Sequence, residues 1–189
     1  SITLSGADAD GDSLTYKITT LPANGYLFQT SDGTTRFDTI TSIPTTILYA
    51  NHQVIYISAK DENGVNYGNF GFKVNDGTTD SEEAIVTTNV LNVNDLPSAP
   101  VQTVSADEDI DKTITLAAND VDGDSLTYKI TTHPLNDYLF QTSNGLTGGD
   151  TIQSVPITVT DTGRVIYVSA QDRYGNSHGN FGCKANDGT

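Results

Sequence analysis

Basic residues are scarce in this chain: nine Lys and Arg stand against 24 Asp and Glu, a formal charge of −15. A surface this acidic repels phosphate backbones and anionic headgroups. Nucleic-acid binding, which rests on basic patches, is therefore excluded. Long hydrophobic runs are also missing. None approaches the ~20 apolar residues of a membrane span, and nothing at Ser1 resembles a signal peptide. Tryptophan is absent and cysteine occurs once, which excludes the Cys…Trp…Cys core of antibody domains and any disulfide within the chain. A secreted chain of this kind needs another staple. Histidine occurs three times, at His52, His133 and His178, and no Ser-His-Asp order recurs. An enzyme would need a nucleophile with its base, or a metal on histidine or thiolate ligands; the chain reads as non-enzymatic.

What is present is a duplication. Asp8-Ala9-Asp10-Gly11-Asp12-Ser13-Leu14-Thr15-Tyr16-Lys17-Ile18 returns as Asp120-Val121-Asp122-Gly123-Asp124-Ser125-Leu126-Thr127-Tyr128-Lys129-Ile130. Tyr26-Leu27-Phe28-Gln29-Thr30 returns as Tyr138-Leu139-Phe140-Gln141-Thr142, and Asn75-Asp76-Gly77-Thr78 as Asn186-Asp187-Gly188-Thr189. Gly68-Asn69-Phe70-Gly71 returns as Gly179-Asn180-Phe181-Gly182, one residue out of phase because a single-residue gap lies between Ile40 and Val54. Such self-similarity marks a tandem architecture. Two modules follow, 1–95 and 96–189, each of ordinary domain size. Thr189 aligns with Thr78, and Ser1 with Thr113. Copy one is thus expected to lack its first strand and copy two its last, as pieces of a longer tandem array would.

Apolar residues alternate with period two: Leu14, Tyr16 and Ile18 against Thr15, Lys17 and Thr19; Phe70, Phe72 and Val74 against Gly71 and Lys73. That is the pattern of a half-buried strand. Cys183 takes the place of Phe72 in copy two, so it is expected to face inward as a small apolar residue. Asp10-Gly11, Asp32-Gly33, Asn63-Gly64 and Asp76-Gly77 supply turn chemistry between the runs. Short strands with frequent turns predict an all-β fold, two tandem Greek-key β-sandwiches with about seven strands each. Pro97 and Pro100 hold the connecting segment extended.

Asp8, Asp10 and Asp12 crowd into five residues, as do Asp120, Asp122 and Asp124. Like charges at 4 Å repel by ~1 kcal/mol per pair even in water, so the cluster favours a cation. Ca²⁺ takes six to eight hard oxygens, which aspartates, asparagines and carbonyls supply. The loop is not an EF-hand, because Gly11 stands at its fourth position and Thr19 at its twelfth.

The order Asp-x-Asp-Gly-Asp-x-Leu-x-Tyr-x-Ile, then Asn-Asp-Gly, then Val-Asn-Asp-x-Pro resembles the bacterial cadherin-like repeats of giant secreted and RTX-type adhesins. The resemblance spans essentially the whole chain. It implies calcium at domain junctions, with Asn94, Asp95, Asp120, Asp122 and Asp187 as the ligands of one junction. Asp8, Asp10 and Asp76 would serve a preceding junction, and Glu108 a following one. The mid-domain Asp-Arg-Glu motif of animal cadherins has no counterpart, and Asn92 stands where those linkers begin with aspartate. Both departures imply one or two ions per junction rather than three.

The expected function is therefore a calcium-stiffened extender of a long extracellular adhesin or surface filament. Its partners would be neighbouring repeats, other copies in a filament, and a glycan or cell-surface ligand. The rival reading is a glycan- or protein-binding module of a secreted polysaccharide-active protein, since tyrosines recur at Tyr26/Tyr138 and Tyr56/Tyr167. These alternate with apolar neighbours, which favours core or edge packing.

Overall fold

A computed structural model of the chain describes residues 1–176 and 178–189. It is all-β, with thirteen strands and no helix among the described residues. The chain divides into two compact units, Ser1–Val93 and Asn94–Thr189. The division leaves Asn94 and Asp95 with the second unit, where each is hydrogen-bonded to an aspartate of that unit.

The first unit holds β1 (Ile2–Thr3), β2 (Thr15–Thr20), β3 (Tyr26–Gln29), β4 (Thr45–Thr46), β5 (Gln53–Ile57), β6 (Phe70–Asn75) and β7 (Ala84–Val86). They form two antiparallel sheets, ordered β1-β5-β3 and β4-β2-β6-β7. The inward residues of the two sheets meet in one core: Leu27 and Val54 from the first, Tyr16, Ile18, Phe70 and Phe72 from the second. This is the sandwich solution to burying two half-apolar sheets. The alternation read from the sequence sets which side chains point inward.

One inward position is polar. Gln29 follows Leu27 by two residues and so faces the core, where it is 3% exposed. Its Nε2 donates to the Thr46 carbonyl at 2.9 Å, and its Oε1 accepts from the Leu48 amide at 3.3 Å. The second unit repeats the arrangement: Gln141 donates to the Thr158 carbonyl at 2.8 Å and accepts from the Thr160 amide at 2.9 Å. Because β3 and β4 belong to different sheets, the amide ties the two layers together. A buried polar group is tolerated when its partners are supplied.

The second unit holds β8 (Lys112–Thr115), β9 (Thr127–Thr132), β10 (Tyr138–Phe140), β11 (Ile157–Thr158), β12 (Arg164–Val168) and β13 (Gly182–Asn186). Its sheets are β10-β12-β8 and β11-β9-β13, around Ile130, Leu139, Ile152 and Val165. Tyr167 is also buried there. Its hydroxyl donates to the buried Asp137 carboxylate at 2.9 Å, and its ring lies against Gly179. Two features separate this unit from the first. The segment ahead of β8 makes a single bridge, Ser98 with Asn119, and no strand. The sheet containing β13 has three strands where its counterpart has four. Phe70 and Phe72 are buried in the first unit, whereas Phe181 and Cys183 at the same positions are partly exposed. Cys183 still packs against the core, and burial pushes its thiol pKa up.

Candidate metal centre

The Asp-x-Asp-Gly-Asp segment folds the same way in both units, for a local reason. The first aspartate turns its carboxylate back onto the chain, as short acidic side chains do at turns. Asp120 Oδ1 accepts from the amides of Asp122 (2.9 Å) and Asp124 (3.2 Å). Asp8 Oδ1 accepts from those of Asp10 (2.9 Å) and Asp12 (3.1 Å). The glycine is a backbone requirement: Gly123 has φ +78° and Gly11 φ +84°, and nothing stands within 4 Å of where a Cβ would be. That is the left-handed region glycine enters without strain.

The loops differ in what surrounds them. In the second unit, Asp120, Asp122 and Asp124 each bring one carboxylate oxygen within 4.8 Å of the others. Among the described residues, this is the grouping of three ionisable ligands that forms. Asp122 Oδ2 accepts from the Asp95 amide at 2.7 Å. The neighbouring Asn94 donates from Nδ2 to Asp187 Oδ2 at 2.9 Å and to Thr189 Oγ1 at 3.2 Å. Asp187 Oδ1 accepts from the Thr189 amide and hydroxyl, at 3.0 and 2.9 Å. The Asn94 amide, followed by the Thr189 donors, holds the Asp187 carboxyl down at about 2.

One atom stands out chemically. Asp120 Oδ2 is buried from solvent and has no hydrogen-bond partner. Buried oxygens are nearly always satisfied, and this one sits in the only residue of the trio whose other oxygen is committed to the turn. Three carboxylates, one with an oxygen lacking a donor, form a group that could hold a metal ion.

The structure thus links Asn94 to Asp187 and Asp95 to Asp122, and groups Asp122 with Asp120. Asp187 lies outside the 4.8 Å group and reaches it through Asn94 and Asp95. Asp124 is a group member that the resemblance did not assign, although its place in the duplicated motif made it visible. Asp8 and Asp10 make their turn without gathering into such a group. Asp76 spends Oδ1 on the amides of Thr78 and Thr79, both at 2.7 Å, which lowers its pKa. Glu108 is exposed and apart from the trio, in a loop whose next residue, Asp109, contacts Ser169 and Asp172.

No family model, curated protein or solved structure matches this chain.

The other sequence candidates are dispersed. His52 stacks on Tyr16 at 4.3 Å, His178 meets Arg173 at 3.3 Å, and His133 Nε2 is buried without a partner. Tyr26 and Tyr138 stand 58% and 53% exposed on the edge strands β3 and β10. No helix is long and apolar enough to cross a membrane among the described residues.

Proposed function

We propose that the chain is a calcium-stiffened structural repeat, an extender of a long extracellular adhesin or surface filament. The observation that supports this most directly is the Asp120–Asp122–Asp124 group with its orphaned Asp120 oxygen. Calcium bound there would neutralise carboxylates that otherwise repel one another. It would also strengthen the hold of the second unit on Asn94 and Asp95, whose hydrogen bonds end on Asp187 and Asp122. The polypeptide entering the unit would be clamped when the ion is present and loosened when it is not. A chain of such units would be stiff in millimolar calcium and slack below it.

The test is a melting series in chelator and in calcium. Extracellular calcium modules bind at about 10⁻⁴–10⁻³ M. At ten times a Kd of that order, binding to the folded state adds about 1.4 kcal/mol, or roughly 6–11 °C for a unit of this size. Asp120→Asn should remove most of the shift. Asp32→Ala should leave it intact, because Asp32 spends its carboxylate on the amides of Thr34 and Thr35 in a separate turn. A melting point indifferent to calcium, or one that still responds in Asp120→Asn, would remove the calcium reading.

A further inference from the structure

Asparagine followed by glycine is prone to lose its side-chain ammonia, because a glycine amide reaches the preceding side chain unhindered by a Cβ. The chain holds three such pairs, Asn24-Gly25, Asn63-Gly64 and Asn144-Gly145. Unfolded, they are chemically alike. The fold makes them unequal through the group that has to attack, the glycine N–H.

Two of the three amides are committed. Gly64 N donates to the Val90 carbonyl at 2.8 Å. Gly145 is buried, and its N donates to Thr142 Oγ1 at 2.9 Å. The Asn144 side chain is held as well, since its Oδ1 accepts from the amides of Leu146 and Thr147 at 2.8 and 3.0 Å. Gly25 differs: it is partly exposed, and its amide donates to no acceptor among the described residues. Asn24 is exposed, with Nδ2 on a single bond to the Tyr67 carbonyl at 3.2 Å. The carbonyl of the same peptide unit, Asn24 O, accepts from the Tyr56 hydroxyl at 3.0 Å. A donor there stabilises the negative charge that spreads onto the oxygen when the Gly25 nitrogen loses its proton. Asn144 O takes a longer bond, 3.3 Å from Arg164 Nη1, but the nitrogen it would activate is tied to Thr142.

The pair is also fixed in place. Gly25 has φ +81°, and a Cβ there would collide with the Ile57 carbonyl and the Tyr56 hydroxyl. The second unit makes its turn differently: Asn136 has φ +69° and is followed by Asp137, whose side chain hinders ring closure. The susceptible turn therefore belongs to one copy.

We infer that Asn24 is a site of spontaneous deamidation, and that its conversion loosens the first unit alone. The Gly25 nitrogen attacks Asn24 Cγ: the N–Cγ bond forms, the Cγ–Nδ2 bond breaks, and the amide proton passes through solvent to the departing ammonia. Water then opens the succinimide at either carbonyl, leaving aspartate or isoaspartate. An aspartate has no hydrogen to offer the Tyr67 carbonyl and sets a charge against it. An isoaspartate adds a main-chain carbon at the entrance to β3.

The experiment incubates the intact chain in mildly alkaline buffer, folded and in urea, and follows each asparagine by peptide mapping with mass spectrometry. In the folded chain Asn24 should convert about tenfold or more faster than Asn63 and Asn144, whose glycine amides must first leave a hydrogen bond. In urea the three rates should converge. Equal rates in the folded chain, earlier conversion at Asn63 or Asn144, or differences as large in urea as in buffer overturn the assignment. Thr142→Val removes the hydroxyl that holds Gly145 N and should raise the Asn144 rate towards that of Asn24. A Thr142→Val chain that keeps both its melting point and its slow Asn144 would show that the amide bond is not what protects, and overturns it too. Asn24→Asp, the aspartate product made in advance, should lower the first unit's melting point and leave the second's in place; an unchanged first-unit midpoint removes the loosening.

Discussion

Phe70 and Phe181 are the same residue in two copies of one design, and truncating each to alanine should have unequal consequences. Phe70 is 0% exposed, enclosed by both sheets and covered by β7. Phe181 is partly exposed. Removing a sealed phenylalanine costs about 3–5 kcal/mol, the lost transfer energy plus that of a cavity. Phe181 keeps only part of its ring from water and leaves no closed cavity, so about 1–2 kcal/mol is expected. In a unit of this size each kcal/mol lowers the midpoint by about 4–8 °C. Phe70→Ala should then lower the first unit's melting point by roughly 12–40 °C, and Phe181→Ala that of the second by roughly 4–16 °C. Scanning calorimetry gives both transitions, and the temperature at which Cys183 becomes fully reactive identifies the second unit's. Equal losses, or a larger loss for Phe181→Ala, would refute the claim that β7 seals the Phe70 side of the first core.

Two further outcomes follow from single contacts. Asp187 is held at about 2, against an ordinary 3.8, chiefly by Asn94; its ionised form is favoured by folding, so its contribution is complete above about pH 4 and is lost as pH falls towards 2. Asn94→Ala should move the Asp187 pKa back towards 3.8 in an NMR titration, and a pKa that stays near 2 would show that the Thr189 donors suffice. Gly179→Ala should destabilise the second unit by about 1–3 kcal/mol, because an added methyl collides with the Tyr167 ring and overpacking is costly. That ring is anchored by its 2.9 Å bond to Asp137 and cannot simply turn away; denaturant unfolding of the variant measures the loss, and an unchanged midpoint would count against the contact.

The strand pattern was legible because it is local. Tyr16, Ile18, Phe70 and Phe72 alternate in the sequence and are the residues that meet in the first core. The Asp-x-Asp-Gly-Asp turn was equally readable, since glycine and short acidic side chains specify it within five residues. Gln29 was harder. Period-two alternation points it inward, but only the fold shows the backbone groups of Thr46 and Leu48 waiting there. The environments of the aspartates were harder still. Asp8 and Asp120 begin identical motifs with identical turns, yet the grouping of three carboxylates forms around Asp120. Asp122 there accepts from the Asp95 amide, 27 residues away, and no local pattern carries that information. Tyr26 and Tyr138 fell on edge strands, where alternation alone does not decide between burial and exposure.

The shared Gly, Lys and Asn positions of β6 and β13 also bear on how the chain reaches its fold. During synthesis, β7 follows β6 immediately, while β13 emerges roughly 100 residues later. At about 5–20 residues per second that interval is on the order of ten seconds, ample for a hairpin, which closes in about 1–10 μs. The order of translation therefore delivers β7 to its own sheet before the competing edge exists. A chain released from denaturant has no such order: both edges become available at once, and β7 can be captured by the wrong unit. Direction of synthesis thus favours the β6–β7 pairing over capture of β7 by the later copy.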